Sequence, residues 1–189
     1  MSRLSLDEEV ADLVHRFKTV LDAHDSHLRS FCAHGVQLEG WLKGEFLNFL
    51  DEESTTGKIV GFDREVKLAV GQRKKVDLAI QVIADGEVET IWVELKHWLI
   101  GRQRGVMYPA SFYFSDPSSV GISADVKKLA KVANGGGYLL ILATAHPGDD
   151  EWQNGVAIFN QKFAPLSLKS LAQATHYPAS YYLGILKVV

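Results

Sequence analysis

Residues 75–96, KVDLAIQVIADGEVETIWVELK, decide the fold, because they contain two apolar-patterned runs on either side of Asp85-Gly86. Asp-Gly between two such runs is a strong signal for a two-residue hairpin with a type I′ turn. With that turn, residues that face each other on the two strands have numbers that sum to 171. The sequence therefore predicts that Asp77 lies directly opposite Glu94, with the two Cβ atoms about 5 Å apart.

Alternation along the two strands assigns the side chains to two faces. One face is predicted to be apolar and carries Val76, Leu78, Ile80, Val82, Ile91, Val93, Leu95 and Leu99. The other face carries Asp77, Ala79, Gln81, Ile83, Trp92, Glu94, Lys96 and Trp98. Asp77, Glu94 and Lys96 are thus predicted to form one polar patch. His97 should point to the apolar face, where we expect a core histidine with satisfied hydrogen bonds.

The polar patch has a chemical requirement, because two directly opposed carboxylates repel each other. Such a pair needs a compensating cation, a shared proton or good solvation; a divalent ion would supply the first, and the hard oxygen ligands suit Mg²⁺. Lys96 is placed to orient or help deprotonate a water molecule, or to neutralise charge on a phosphate. The alternative is a surface trio of Asp, Glu and Lys that forms only a weak ion-pair cluster.

The elements before this hairpin are predicted to be helical. Ser5 and Glu8 form a capping-box pattern, and apolar residues recur at helical spacing from there until Gly35. A second helix is predicted over Gln37–Asp51. The three predicted strands are Ile59–Val70, Lys75–Ile83 and Val88–Leu99.

The elements after the hairpin begin with Gly101–Gly121, which has no sustained periodicity and is predicted to be a long, partly structured loop. Ser123 is predicted to cap a helix over Ala124–Ala133, and the apolar run Tyr138–Ala145 to form a buried strand. Strands near Val156–Asn160 and Tyr181–Val188 are predicted to flank a helix around Leu166–Ala174. The order predicts one α/β domain, with a helical extension at 1–35, a core at 37–145 and an αβ extension at 146–189.

Composition is that of a globular domain, with 47% hydrophobic and 23% charged residues. No stretch approaches the roughly 18–20 apolar residues of a membrane span, so no membrane association is expected. The N-terminal residues do not resemble a signal peptide. Cys32 is the only cysteine. This excludes an internal disulfide and favours a reducing compartment, most simply the cytoplasm.

The net charge of −3 is unevenly distributed. Residues 1–63 contain 6 Lys and Arg against 12 Asp and Glu, whereas residues 64–131 contain 11 against 8. The middle of the chain is therefore the basic part, although a solvated face explains such charges equally well. The acidic N-terminal region is a candidate surface for a second copy of the chain or for a partner protein.

The hairpin and its surroundings resemble the PD-(D/E)XK nuclease superfamily, also called restriction-endonuclease-like. Its signature is an Asp near the start of one strand and Glu-x-Lys on the next, matched here by Asp77 and by Glu94-Leu95-Lys96. Val76 stands where the signature has proline. The helix Asp125-Val126-Lys127-Lys128-Leu129 resembles one that packs behind the site in several such families. The predicted element order is similar to the αβββαβ core of that superfamily.

The resemblance implies a hydrolase that cleaves phosphodiester bonds in DNA, with RNA as a further possible substrate, in restriction, defence or repair. Asp77, Glu94 and the carbonyl of Leu95 would bind Mg²⁺ or Mn²⁺, and Lys96 would assist the attacking water. The helical glutamate of the family would be Glu45, with Glu39 as the alternative. The rival interpretation is a non-catalytic nucleic-acid-binding or assembly subunit on the same scaffold.

Contacts to nucleic acid are predicted at Lys74, Lys75, Arg102 and Arg104, beside the aromatic residues of Gly101–Gly121. Basic side chains would bind the backbone, and aromatic rings would stack on bases. The alternative is that these aromatic rings only fill the core.

Overall fold

The computed structural model describes residues 4–68, 74–99, 109–115, 122–132, 134–144, 148–176 and 181–188. The helices in this part of the chain are α1 (Leu6–Ala23), α2 (Asp25–His34), α3 (Glu39–Thr55), α4 (Ala110–Ser115), α5 (Ser123–Leu129) and α6 (Asp149–Lys162). The strands are β1 (Gly61–Lys67), β2 (Lys75–Ala84), β3 (Glu87–Leu99), β4 (Gly136–Thr144), β5 (Leu168–His176) and β6 (Tyr181–Val188), and a 3₁₀ turn spans Ala164–Leu166.

The six described strands form one mixed sheet in the order β1-β2-β3-β4-β6-β5. Only the β3–β4 pair is parallel within this sheet. A parallel pair needs a crossover connection, and this one contains α4 and α5. The protein is therefore α/β, as predicted, with three helices before the sheet.

The central hairpin has the predicted turn and register. Asp85 and Gly86 have φ values of 51° and 89°, which is the positive-φ pair that a type I′ turn requires. The strands pair from Ala84 with Glu87 to Leu78 with Val93, so facing residues sum to 171 as expected. The regular ladder ends there, one residue pair before Asp77 and Glu94.

The sheet is covered by helices on both faces. One core packs α1, α2 and α3 against side chains of β2 and β3 such as Ile80 and Val93. The second core packs α4, α5 and α6 against the opposite face, around Trp98 and Ile141. Helices α3 and α5 lie on opposite faces of the sheet, and each contributes side chains at the same end of β3.

The predicted face of Val76 is wrong. Leu78, Ile80 and Val82 lie in the first core as expected, but Val76 packs in the second core with Trp98. Strict alternation requires an uninterrupted pleat. The pleat is interrupted at this point, because the regular β2–β3 ladder ends at Leu78.

The capping box predicted at the N-terminus is confirmed, but the helix predicted from there to Gly35 is two helices. The side chain of Glu8 accepts a hydrogen bond from the Ser5 amide at 2.8 Å. The predicted single helix is broken at His24 into α1 and α2. Gly35 ends α2 in a left-handed conformation, with φ 61°, as its position predicts.

Two of the predicted C-terminal elements are wrong: the predicted strand is a helix, and the predicted helix is a strand. The segment near Val156–Asn160 belongs to helix α6, and the segment around Leu166–Ala174 contains most of strand β5. In α6, Trp152, Val156 and Phe159 are buried at helical spacing. The predicted strand Tyr181–Val188 is confirmed as β6.

The predicted loop Gly101–Gly121 contains the short helix α4, and most of its other residues lie outside the described part of the chain. Tyr113 and Phe114 are buried in the second core, where Phe114 contacts Trp98 and Trp152 edge to face. These two aromatic residues therefore fill the core, which was the alternative interpretation. Among the described helices, none is long and apolar enough to cross a membrane.

Candidate functional site

Asp77 and Glu94 hold β2 and β3 together where the regular ladder stops. The amide of Asp77 donates a hydrogen bond to Oε1 of Glu94 at 3.1 Å. The amide of Leu95 donates to Oδ2 of Asp77 at 3.0 Å. Each carboxylate accepts from the backbone of the opposite strand, so the two acids are fixed beside each other. The regular strand register ends one pair earlier, at Leu78 and Val93, so these two hydrogen bonds show that the acids are neighbours, and their direct opposition stays a prediction.

A lysine from α5 contacts Glu94. Nζ of Lys128 lies 2.6 Å from Oε1 of Glu94 and 3.6 Å from Oδ1 of Asp125. Val126 and Leu129 are buried on the same short helix, and their packing fixes its position against β3 and β4. The cation that the opposed carboxylates require is thus partly supplied by the protein itself.

Lys96 lies between two acids from opposite sides of the sheet. Its Nζ is 3.1 Å from Oδ2 of Asp125 on α5 and 3.6 Å from Oε2 of Glu39 on α3. Only 17% of the side chain is exposed. Lys96 therefore sits two residues from Glu94 with its ammonium group held in place by two carboxylates.

A second lysine, Lys43 of α3, contacts Asp77. Its Nζ lies 2.8 Å from Oδ1 of Asp77 and 2.5 Å from Oε1 of Glu65. Glu65 has φ 55°, an uncommon conformation for a residue with a side chain. Such strained positions are frequent at functional sites.

These residues form what we call the carboxylate–lysine cluster. Its members are Glu39, Lys43, Glu65, Asp77, Glu94, Lys96, Asp125 and Lys128. They come from both helices that flank this end of the sheet and from the three strands β1, β2 and β3. The five carboxylates outnumber the three ammonium groups, so the cluster is negative when every group is ionised.

Burial raises the pKa of Glu94 to about 7. The hydrogen bond from Lys128 lowers this pKa, whereas the charge of Asp77 raises it further, and burial dominates. Glu94 therefore changes its charge near neutral pH. A bound cation favours the ionised form of such a carboxyl group, so cation binding and loss of this proton are linked.

Lys96 keeps its proton at neutral pH. Burial lowers the pKa of Lys96, but the charges of Asp125, Glu39 and Glu94 together outweigh burial and raise it. The side chain is an ammonium group that donates hydrogen bonds and positive charge. Of the roles considered from the sequence, this state favours orienting water or neutralising a phosphate over removing a proton.

His97 is the satisfied core histidine that was predicted. Its Nδ1 accepts a hydrogen bond from the amide of Leu38 at 3.0 Å, and Nε2 lies 2.9 Å from Oγ1 of Thr144. Burial lowers the pKa of His97 to about 4, so the ring is neutral. Since Leu38 directly precedes Glu39, this hydrogen bond also ties the start of α3 to β3 beside Lys96.

The structure brings together some of the predicted site residues and not others. Asp77, Glu94, Leu95 and Lys96 meet at the end of the β2–β3 ladder. Within the described part of the chain, Glu45 pairs with His24 and not with this cluster, its Oε2 lying 3.2 Å from Nε2 of His24. The alternative, Glu39, contacts Lys96.

The predicted nucleic-acid contacts are described only in part. Lys74 and Lys75 are exposed at the start of β2. Lys75 pairs directly with Lys67 of β1, which is also exposed. Arg102 and Arg104 lie outside the described residues.

The acidic N-terminal region uses several of its carboxylates internally. Asp7 contacts Lys187 at 2.9 Å, and Glu53 contacts Arg16 at 2.7 Å. The surplus of acids counted along residues 1–63 is therefore not simply an exposed acidic surface.

The donor set limits which metal ions suit this site. Within the described residues, no three His, Cys, Asp or Glu side chains form a group that could hold a metal ion. Mg²⁺ is often bound by only one or two carboxylates, with water and substrate phosphates as the other ligands. The two neighbouring carboxylates of Asp77 and Glu94 are hard oxygen ligands of the kind that Mg²⁺ prefers, and they do not fit a metal that needs His or Cys ligands.

Four members of the cluster were not predicted as site residues: Lys43, Glu65, Asp125 and Lys128. Two weak signals were present in the sequence. Asp125 and Lys128 are spaced i, i+3 on α5, and Glu39 and Lys43 are spaced i, i+4 on α3. Neither spacing shows which strand the helix packs against.

No protein-family model matches the chain, and no curated protein matches it in a sequence comparison.

Proposed function

We propose that this protein is a divalent-metal-dependent nuclease that hydrolyses phosphodiester bonds in DNA, with RNA as a second possible substrate. The observation that carries the proposal is the reciprocal backbone bonding of Asp77 and Glu94, with Lys96 two residues further along the same strand. Two adjacent carboxylates can hold a divalent ion for phosphodiester hydrolysis, and an ammonium group beside them can stabilise charge on the phosphate.

The fold supports the same proposal. Helix α3, strands β1 to β3, helix α5 and strand β4 occur in the order αβββαβ, with the short helix α4 inserted between β3 and α5. The four strands are neighbours in the order β1-β2-β3-β4, with β4 parallel to β3. We infer that the core is restriction-endonuclease-like, with α1 and α2 before it and α6, β5 and β6 after it.

Each residue has a definite role in the proposal. Asp77, Glu94 and the Leu95 carbonyl would hold Mg²⁺ or Mn²⁺, and the bound ion would supply polarisation of the scissile phosphate and stabilisation of the leaving oxygen. Lys96 keeps its ammonium charge beside that phosphate. Glu39, rather than Glu45, acts as the helical carboxylate, because it contacts Lys96.

The neighbouring surface suits a nucleic-acid backbone. Lys67 and Lys75 face each other across β1 and β2, and like charges in that position repel. A phosphate between them removes the repulsion. Lys75 is two residues from Asp77, which is about 7 Å along a strand. A second phosphate of the same strand can therefore lie near Lys75 while one is at the cluster.

One observation favours the alternative of a non-catalytic nucleic-acid-binding or assembly subunit. Asp77 and Glu94 already have Lys43 and Lys128 as counter-ions. Two carboxylates that each have a lysine counter-ion do not need a metal ion, and such an arrangement suits a binding surface equally well.

Cleavage of plasmid DNA with Mg²⁺ or Mn²⁺ separates the two candidates. We expect cleavage by the wild type and a loss of roughly 100-fold or more for Asp77→Asn and for Lys96→Gln, since each removes charge stabilisation at the reacting phosphate. Glu45→Gln is the control and should cleave like the wild type. DNA binding without cleavage in either metal would favour the non-catalytic alternative.

A further inference from the structure

We propose that Lys43 and Lys128 are exchangeable counter-ions: they leave Asp77 and Glu94 when a divalent cation binds, and their ammonium groups then bind phosphate oxygens of the nucleic acid. Cation and phosphate therefore bind cooperatively. This inference rests on the proposed function and adds to it a mechanism by which the metal controls substrate binding.

The contacts place each lysine where the cation would bind. Nζ of Lys128 is 2.6 Å from Oε1 of Glu94, the oxygen that also accepts the Asp77 amide. Nζ of Lys43 is 2.8 Å from Oδ1 of Asp77, whereas Oδ2 accepts the Leu95 amide. Both carboxylates that would bind the cation are therefore already in contact with an ammonium group.

Each lysine also has a second carboxylate within reach. Lys43 contacts Glu65, and Lys128 lies 3.6 Å from Asp125. An ammonium group that leaves its first partner thus stays beside a negative charge. A lysine side chain has a flexible four-carbon stem, so this exchange needs no movement of the helices.

The charge of the cluster supports one divalent cation. Five carboxylates against three ammonium groups leave two negative charges when all groups are ionised. A phosphate that approaches this cluster without a metal ion meets excess negative charge and lysines that are already paired. After the cation binds, Asp77 and Glu94 are neutralised and the other three carboxylates balance the three ammonium groups, so a phosphate no longer meets excess negative charge and can accept hydrogen bonds from Lys43 and Lys128.

The two lysines approach from opposite faces of the sheet, since Lys43 is on α3 and Lys128 is on α5. Lys96 lies between these helices, held by Glu39 and Asp125. Three ammonium groups, each beside a carboxylate of the cluster, therefore lie around this end of β3. The arrangement thus favours a phosphodiester over a neutral ligand.

Coupling of this kind is reciprocal, so the cation strengthens phosphate binding by the same factor as the phosphate strengthens cation binding. Couplings between two ligands are typically roughly 5- to 150-fold in affinity. We expect removal of either lysine to have two opposite effects: tighter cation binding in the absence of DNA, and loss of the gain in DNA affinity that the cation produces.

The first measurement is a calorimetric titration of Mg²⁺ into the wild type, Lys43→Gln and Lys128→Gln, without DNA and in buffer more alkaline than the Glu94 pKa of about 7. Lys58→Gln is the matched control, because Lys58 pairs with another buried glutamate, Glu53, outside the cluster. We expect affinity to rise by at least about 5-fold in the two cluster variants and to stay unchanged in the control.

The second measurement is the affinity for a short fluorescent DNA duplex with and without Mg²⁺, in a Lys96→Gln background that prevents cleavage. The cation should increase DNA affinity strongly in that background and only weakly when Lys43→Gln or Lys128→Gln is added. Thermal melting of every variant shows whether it is folded.

The outcomes separate this inference from the proposed function. If Mg²⁺ binds the wild type but neither lysine variant binds it more tightly, the counter-ion exchange is wrong and the nuclease proposal stands. If Mg²⁺ binds none of these proteins, both are overturned.

Discussion

Asp77 and Glu94 are joined by a hydrogen bond from the backbone amide of the first to the side-chain carboxylate of the second, at 3.1 Å. The side chain of Glu94 therefore takes part in pairing the two strands and is also a candidate metal ligand. This arrangement brings a buried, ionisable carboxylate next to a second negative charge. The free-energy cost of placing the two carboxylates side by side depends on pH and on bound cations, and both dependences can be measured.

The first prediction concerns Glu94→Gln. Folding raises the pKa of Glu94 from 4.5 to about 7, so the folded state holds a proton that the unfolded state releases. Stability of the wild type should therefore fall, relative to the variant, as pH rises from about 4.5 to 7, by as much as about 3 kcal/mol. Denaturant unfolding of both proteins in chelator, across this pH range, measures the difference. Curves that stay parallel would contradict the prediction.

The second prediction concerns His97. Its pKa is lowered from 6.5 to about 4, so the unfolded state takes up a proton that the folded state refuses. The stability due to neutral His97 is complete above about 6.5 and is lost as pH falls toward 4, by as much as about 3 kcal/mol.

His97→Gln is the comparison for this second prediction, because it cannot titrate. The stability difference between wild type and variant, measured by unfolding at each pH, should shrink as the solution becomes acidic. A difference that does not change with pH would show that His97 has the same pKa in the folded and unfolded states, and would contradict the prediction.

The third prediction separates the two candidate helical glutamates. Glu39 contacts Lys96 and Glu45 contacts His24. Glu39→Gln should lower the rate of DNA cleavage by about 10- to 100-fold, as is typical of residues that position a ligand or a catalytic group. Glu45→Gln should leave the rate unchanged. The reverse ranking in a cleavage time course would restore Glu45 as the helical carboxylate.

The fourth prediction concerns DNA-backbone contacts at Lys67 and Lys75. The double variant Lys67→Gln/Lys75→Gln should bind all DNA sequences more weakly and reduce the dependence of log affinity on log salt by roughly one for each lost phosphate contact. Anisotropy titrations at several salt concentrations measure both effects.

Lys169→Gln is the control for the single variant Lys75→Gln, since each removes one positive charge. Lys169 is exposed on β5 at the opposite edge of the sheet. The control variant should leave both the affinity and the salt slope unchanged. If Lys169→Gln weakens DNA binding as much as Lys75→Gln does, the effect is one of net charge and not of this surface.

The hairpin was predictable because its information is local. A two-residue turn at Asp85-Gly86 sets every pairing up to Leu78 and Val93, so the neighbourhood of Asp77 and Glu94 followed from the turn. The core position of His97 followed from strand alternation in the same way.

Other features depend on long-range packing that the sequence pattern does not contain. The contact of Lys128 with Glu94 requires α5 to pack on one particular face of β3, and the contact of Lys43 with Asp77 requires α3 to pack on the other. Val76 departed from alternation where the ladder breaks. Helix α6 was mistaken for a strand because a short apolar segment such as Val156–Asn160 fits either period.

The most direct test of the central claim is a calorimetric titration of Mn²⁺ into the wild type and into Asp77→Asn. We expect one specific site in the wild type that is lost in the variant, because Asp77 provides one of the two carboxylates proposed to bind the ion. Equal binding by both proteins, or no binding by the wild type, would contradict it.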